Sequence, residues 1–351
     1  MRVIGWLLVL LLGAAAVLTV NPEWLARVNP EWAGLTTTYP LVQVIALRPL
    51  LAALFAVVGV VVLIVGVVRK SWFSGGNKSF LLGAVLLGVA AAHAWYVWDR
   101  GLANPHELTA DRGLREADAG DGTITVLTYN TLEGRTGADD VAALAEETGA
   151  DVLVLNETSQ LQAQQVATYL GADGETFQVF AASAGHEGAA DAPTTTLLVS
   201  SAMGEYVQTD GPATERVSVR AEPASGVGPV LVGVHAMAPV HETHEAWLTD
   251  LEAIVGLCGP GGPDGLILAG DLNATLDHAP LQDLGRCVDA GVEAGLGGIA
   301  TWPSRLPVFL GSTIDHVLVD PARYDVTAAL VAERGRSDHR GVVVRLHPTS
   351  P

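Results

Sequence analysis

Asn130, Glu157, His235, Asp271, Asn273, Asp315, His316, Asp338 and His339 have one property in common: each stands at an end of an apolar, β-branched run. "TITVLTYN" delivers Asn130, "ADVLVLNE" Glu157, "VLVGVH" His235 and "GLILAGDLN" both Asp271 and Asn273, while "STIDHVLVD" and "SDHRGVVVRL" supply the two Asp-His pairs. Nearly continuous Val/Ile/Leu runs read as buried strands, so polar residues at their ends gather along one sheet edge. Carboxylates, amides and two histidines on a single rim suit a hard divalent cation and a phosphate ester. The chemistry expected is that of a metal-dependent phosphodiesterase or phosphatase. Asp271 and Asn273 flank Leu272, which puts both side chains on one face of an extended segment. Glu157 closes an apolar strand, where a carboxylate is costly without a cation or donors. Asp338 and His339 are adjacent and cannot partner each other across a site; Asp315 can partner His339. His241 and His244 precede a helix without an HExxH frame and read as surface or rim residues. Glu133 reads equally as a metal helper or a solvated loop acid, His316 as a structural hydrogen-bonding residue, and His186, in a Gly-rich loop, as exposed.

The elements that must position these groups begin at Thr123. Strand "TITVLTYN" leads through Gly134 and Gly137 to helix "ADDVAALAEETG", which Gly149 ends as a C-cap. Strand "DVLVLNE" and a helix over 159–170 follow. Strands are then expected at "FQVFAA", "TTTLLVSS", "RVSVRAEP" and "PVLVGVHA". The helix "ETHEAWLTDLEAIVGLC" precedes strand "LILAGDLN", a short helix "APLQDLGRC", and strands "STIDHVLVD", "YDVTAALVA" and "GVVVRLHP". Many strands with few long helices make a layered α/β arrangement rather than a strictly alternating parallel sheet.

Composition divides the 351 residues. Residues 1–100 are strongly apolar and read as a membrane region with three transmembrane helices at about 5–20, 50–68 and 79–98. The first segment is read as a retained helix rather than a cleaved signal, because no small-x-small site follows it. Arg69, Lys70 and Lys78 make the loop between the second and third spans basic, hence cytoplasmic, which puts everything after Arg100 outside the cytoplasm of a multi-pass cell-membrane protein. Residues 101–122 are polar without apolar period and read as a linker, and 123–348 as the catalytic domain. From Gly101 onward 35 acids face twelve arginines and no lysine, a field that repels nucleic acid unless a local patch or a metal offsets it. Cys258 and Cys287 flank "GLILAGDLN"; they read either as a disulfide, in keeping with an exported domain, or as two buried thiols.

In the order "TYN", "NE", "VHAMAP", "GDLNAT", "TIDHVLV" and "SDHRGVVV", the stretch from Ile124 to Leu346 resembles the endonuclease/exonuclease/phosphatase (DNase I-like) superfamily. The resemblance implies a four-layered α/β sandwich with the site at one edge of two packed sheets. It implies Mg²⁺ or Mn²⁺ held by Glu157, Asn130 and Asp338. It further implies that Asp271 orients or deprotonates the attacking water, that Asn273 and His235 meet phosphate oxygens, and that Asp315 holds a phosphate-facing His339. Apart from the resemblance, Arg305 and Arg336 read equally as a substrate contact or as surface arginines. Two departures stand out: Gly341 follows Arg340 where relatives often have proline, and Ser201 stands where an arginine is common. The expected activity is hydrolysis of a phosphodiester or phosphomonoester (lipid head group, small ester or nucleic acid) by a membrane-anchored domain with no evident protein partner. An extracytoplasmic endonuclease and a catalytically idle anchor or sensor are the alternatives.

Overall fold

The structure, a computed structural model, describes residues 2–73, 75–111, 114, 122–173, 176–182 and 194–349. His186 and most of the second half of the expected linker lie outside the described residues. The chain forms two compact units, Met1–Arg100 with Asp277–Ala279, and Gly101–Leu276 with Pro280–Pro351.

The first unit is helical: α1 (Arg2–Leu18), α2 (Leu41–Ala46), α3 (Arg48–Phe73) and α4 (Asn77–Asp99). At 1.5 Å per residue, α3 rises about 39 Å and α4 about 35 Å, against about 30 Å of bilayer hydrocarbon. Both are long and apolar enough to cross a membrane; α1 is a shorter apolar helix, so two such helices stand where three were expected. Glycines let α3 and α4 approach closely. A Cβ on Gly83 would meet Leu63 at 2.7 Å and the Gly59 carbonyl at 3.1 Å. The same unit encloses a charge cluster that the sequence did not suggest. The Asp277 carboxylate takes Arg48 Nη2 at 2.7 Å and a two-pronged grip from Arg100 at 2.7 and 3.0 Å. Burial raises the Asp277 pKa, but the two guanidiniums prevail and hold it down at about 2.

The second unit contains two six-stranded sheets. The first sheet is built from β1 (Ile124–Asn130), β2 (Val152–Thr158), β3 (Phe177–Ala181) and β4 (Thr194–Ser200), together with β11 (Tyr324–Ala332) and β12 (Gly341–Pro348), in the order β11-β12-β1-β2-β4-β3. The second is built from β5 (Tyr206–Thr209), β6 (Val219–Pro223), β7 (Val230–His235), β8 (Leu266–Asp271), β9 (Val288–Asp289) and β10 (Asp315–Val319), in the order β5-β6-β7-β8-β10-β9. Side chains alternate across the first sheet as strand geometry requires. Val126, Val152 and Val154 pack inward with Ile267, Ala269 and Val317 of the second sheet. Leu127, Leu153 and Leu155 point outward into α5 (Ala138–Thr148) and α6 (Gln160–Leu170), meeting Val141, Leu144 and Val166. Helix α7 (His244–Gly256) buries Trp247, Leu251 and Ile254 and completes the four-layered α/β sandwich.

Each sheet has one parallel pair at its centre, β1 with β2 and β7 with β8. Parallel partners end on the same side, and their registers pair Asn130 with Asn156 and His235 with Asp271. Strand β10 runs antiparallel to β8 with Asp315 opposite Asp271, and β12 antiparallel to β1 with its start beside the end of β1. Polar residues that finish some strands and start others therefore meet on one rim.

Strands β5 and β9 escaped the sequence reading because four and two residues are too few to show a period. The expected helix "APLQDLGRC" shrinks to Ala279–Gln282, because Asp283 turns the chain by accepting the Gly285 N–H at 3.0 Å, with Gly285 at φ +60°. Gly149 caps α5 in the left-handed region as expected. Cys258 and Cys287, both buried, form a disulfide across a separation of 29 residues. Loop-closure entropy for a ring of that size is worth about 3–4 kcal/mol. Replacing both cysteines by alanine is expected to lower the unfolding free energy of the full-length chain by about that amount, as measured by denaturant titration. An unchanged midpoint would show that the bridge does not form.

Candidate active site

The Asp271 carboxylate lies at the centre of the rim, 1% exposed. Its Oδ1 accepts the Asn273 N–H at 2.8 Å and its Oδ2 accepts Asn130 Nδ2 at 3.0 Å. The same Oδ2 lies 3.6 Å from His235 Nε2 and 3.7 Å from His339 Nε2. The preceding residue has to be glycine: Gly270 sits at φ +150°, and a Cβ there would lie 1.9 Å from the Val234 carbonyl. Asn273 holds a positive φ of +48°, a conformation most side chains avoid, and its Nδ2 donates to the Ala236 carbonyl at 3.0 Å.

Glu157 stands beside this centre, also strained at φ +52°. Its Oε1 takes Asn130 Nδ2 at 3.3 Å, its Oε2 takes the Glu133 N–H at 3.2 Å, and Arg216 Nη1 lies 3.7 Å from Oε1. Asn130 therefore presents its amide nitrogen to both carboxylates, while its oxygen accepts the Leu132 N–H at 3.0 Å.

The two histidines are held in opposite states. Burial pushes His235 down to about 4, assisted by Arg216 and His339 against the pull of Asp271. An arginine can only donate, so the 3.2 Å contact from Arg216 Nη1 makes His235 Nδ1 the acceptor and puts its proton on Nε2, toward Asp271. Burial also acts to lower His339, but Asp315 and Asp271 overcome it and raise the pKa to about 10. His339 Nδ1 meets Asp315 Oδ2 at 2.9 Å, the pairing expected for these residues, and this holds a cationic ring toward the centre. Asp338 receives the Trp302 indole N–H on Oδ2 at 3.0 Å.

The donor chemistry fits a hard cation. Asp315 Oδ1 and Asp338 Oδ1 are buried with no hydrogen-bond partner among the described residues, and one ligand atom each from Asp271, Asp315 and His339 fall within 4.8 Å of one another. Within that group the cationic His339 meets the carboxylate charge, whereas the buried Asp338 Oδ1 outside it has no donor among the described residues and calls for a cation.

One rim thus gathers six motifs, in the expected chain order, around a single buried carboxylate. Residues 127–339 match the model of the Endonuclease/Exonuclease/phosphatase family. The chain belongs to this family. A humanized D. rerio TDP2 carrying 14 mutations shares the fold at TM-score 0.50 and 16% identity, over 64% of this chain and 99% of that one. An endonuclease/exonuclease/phosphatase from Beutenbergia cavernae DSM 12333 is 22% identical, with TM-score 0.48, over 65% and 72%. No curated protein matches the chain. Phosphoric ester hydrolysis is the family's chemistry, which the carboxylate and histidine centre suits.

Sequence reasoning missed several residues of this family site. Asn156, fully buried on β2, reaches across to the second sheet: its Oδ1 accepts the Asp271 N–H at 2.9 Å and its Nδ2 donates to the Val234 carbonyl at 2.8 Å. The signal was present, since Asn156 directly precedes Glu157 inside an apolar run. Ser337 Oγ donates to the Asn130 carbonyl at 2.6 Å and accepts the His339 N–H at 3.0 Å. Arg216 opens the expected strand "RVSVRAEP", but β6 begins only at Val219, so Arg216 lies in the loop before it. Arg305 and Arg336 are exposed, as are Glu133 and His241; His244 opens α7. Gly341 packs closely against Tyr129 and Leu127, where a Cβ would come within 3.2–3.3 Å of their side chains.

His316 donates from both ring nitrogens, to the Asp289 carboxylate at 2.5 Å and to the Ala274 carbonyl at 2.9 Å. Burial opposes its charge, but Asp289 outweighs that and raises the pKa. A raised folded-state value stabilises the fold fully below the unfolded value of about 6.5, and this contribution is lost as pH climbs through the folded one. The stability gap between wild type and His316→Gln is therefore expected to be widest below about pH 6.5 and to narrow at alkaline pH, as followed by denaturant titration. A gap that widens with pH would contradict the charged assignment.

Proposed function

We propose that the chain is a membrane-anchored, metal-dependent phosphoesterase that hydrolyses a phosphodiester or phosphomonoester by in-line attack of water. The observation that carries the reading is the meeting of a neutral His235 and a cationic His339 on one Asp271 oxygen. An ionised carboxylate at that point accepts the proton of an attacking water, while a cationic imidazole stabilises charge on a phosphoryl oxygen. Glu157 would hold Mg²⁺ or Mn²⁺, with Asp338 and Asn130 as further ligands. Such an ion, when bound, polarises the phosphoryl group and stabilises the leaving oxyanion. His235 donates from Nε2 to a non-bridging oxygen. Asn273 serves the same face, and Asp315 keeps His339 oriented and charged. Arg216, its side chain 43% exposed, takes the substrate contact, and the exposed Arg305 and Arg336 keep their reading as surface arginines.

The cleft beside Glu157 has a volume of about 530 Å³ and is lined by Glu133, Glu157, Glu215, Arg216 and His235. Three carboxylates against one guanidinium disfavour a polyanion that must be tracked along its length, which supports a lipid head group or small ester over DNA or RNA. The length and apolarity of α3 and α4 support a membrane anchor, and the cations Arg69 and Lys70 near the end of α3 and Lys78 at the start of α4 support an extracytoplasmic catalytic domain. The Cys258–Cys287 bridge supports the same side.

The test uses the full-length chain in detergent micelles, assayed with Mg²⁺, Mn²⁺ or excess chelator. The substrates are bis-p-nitrophenyl phosphate, phospholipid vesicles, plasmid DNA and RNA. Turnover of an ester or lipid is expected to need the metal and to fall by about 10²–10⁴ in Asp271→Asn and in Glu157→Ala. Metal-dependent cleavage confined to DNA or RNA would favour a nuclease. Inactivity on all substrates with the fold intact would favour the idle anchor. Digestion of the catalytic domain by protease added outside intact cells is the expected outcome for its location, and protection would reverse it.

A further inference from the structure

We propose that Asp250, on α7, is a positioning residue that fastens the Arg216 loop to the turn after His235 and so sets the Arg216–His235 pair. The inference rests on the phosphoesterase reading above. Helix α7 shows one buried stripe at Trp247, Asp250, Leu251 and Ile254, and only Asp250 in it is charged. A carboxylate 1% exposed on an otherwise apolar stripe has to find donors. It finds two, both backbone. Asp250 Oδ1 accepts the Glu215 N–H at 2.7 Å and Oδ2 accepts the Met237 N–H at 2.9 Å.

Those two N–H groups lie next to the reactive face. Glu215 precedes Arg216 in a segment without strand pairing between β5 and β6, and Met237 lies two residues after His235. The first loop has few other ties, chiefly Thr214 Oγ1 to the Arg216 carbonyl at 2.6 Å and to Ser218 Oγ at 2.7 Å. Arg216 then reaches His235 Nδ1 at 3.2 Å and fixes its tautomer. Asp250 is thus the shared anchor of both members of the pair, although it touches neither side chain. Only an acceptor on both oxygens serves here: an asparagine would turn an NH₂ toward one of the two N–H groups.

The experiment is a double-mutant cycle on the full-length chain with bis-p-nitrophenyl phosphate and Mg²⁺. Asp250→Asn is expected to lower kcat/KM by about tenfold to a hundredfold. In the Arg216→Ala background the same substitution is expected to add less than about threefold, because the Arg216–His235 pair it sets no longer exists. Asp250→Glu, which keeps both acceptors, is expected to recover part of the loss. If the asparagine variant melts below the assay temperature, the glutamate variant carries the same cycle. Equal losses in both backgrounds, or a kcat/KM unchanged by Asp250→Asn, would overturn the inference and leave Asp250 a packing residue. A wild-type chain that hydrolyses nothing on the panel, by contrast, removes the phosphoesterase reading itself.

Discussion

Burial of the Asp271 carboxylate is the constraint that orders the catalytic unit. A charge removed from water costs several kcal/mol unless donors surround it, and the end of a single strand cannot provide enough of them. The fold supplies them from both sheets. Asn130 arrives from β1, His235 from the neighbouring β7, and His339 from the turn into β12. The sheets must therefore close against each other at this rim to within hydrogen-bonding distance. Asn156 bolts that closure, bonding across the sandwich to the Asp271 N–H and the Val234 carbonyl. Strand order, register and the backbone strain at Glu157 and Asn273 all serve this one convergence.

Much of this was legible in the sequence, because the chemistry lies at strand ends. A continuous apolar run announces a buried strand, and a polar residue at its end announces the rim, so Asn130, Glu157, His235, Asp271 and Asp315 could be placed before any coordinates. The Asp315–His339 pairing followed from the resemblance to the family. Loops and hydrogen bonds that cross the sandwich were not legible. Arg216 was read as the first residue of a strand, yet the chain is irregular up to Val219, and the cross-sheet role of Asn156 depends on which sheet faces which. Helical apolarity was visible in the first hundred residues, but how far each helix would run was not: α3 continues to Phe73 and takes in Arg69 and Lys70, which were expected in a loop. The ion cluster around Asp277 joins residues more than 170 positions apart and leaves no local trace.

The two histidines show how environment divides labour between identical side chains. His235 is buried with a guanidinium at its back and is neutral; His339 is buried with a carboxylate at its back and is charged. Both turn Nε2 to the same oxygen. The choice of partner on Nδ1, Arg216 or Asp315, leaves one ring neutral and the other cationic.

The position of β12 bears on how the molecule is made. In the first sheet this strand lies inside, between β11 and β1, yet it follows β1 by more than 200 residues. Until β12 emerges, β1 has a partner on one side only, and the Val126–Val344 pairing that fills the middle of the sheet is missing. His339 is made at the same late stage, and the Ser337 hydroxyl that ties it to the Asn130 carbonyl arrives just before it. The rim is thus incomplete in a nascent chain until β12 docks beside β1.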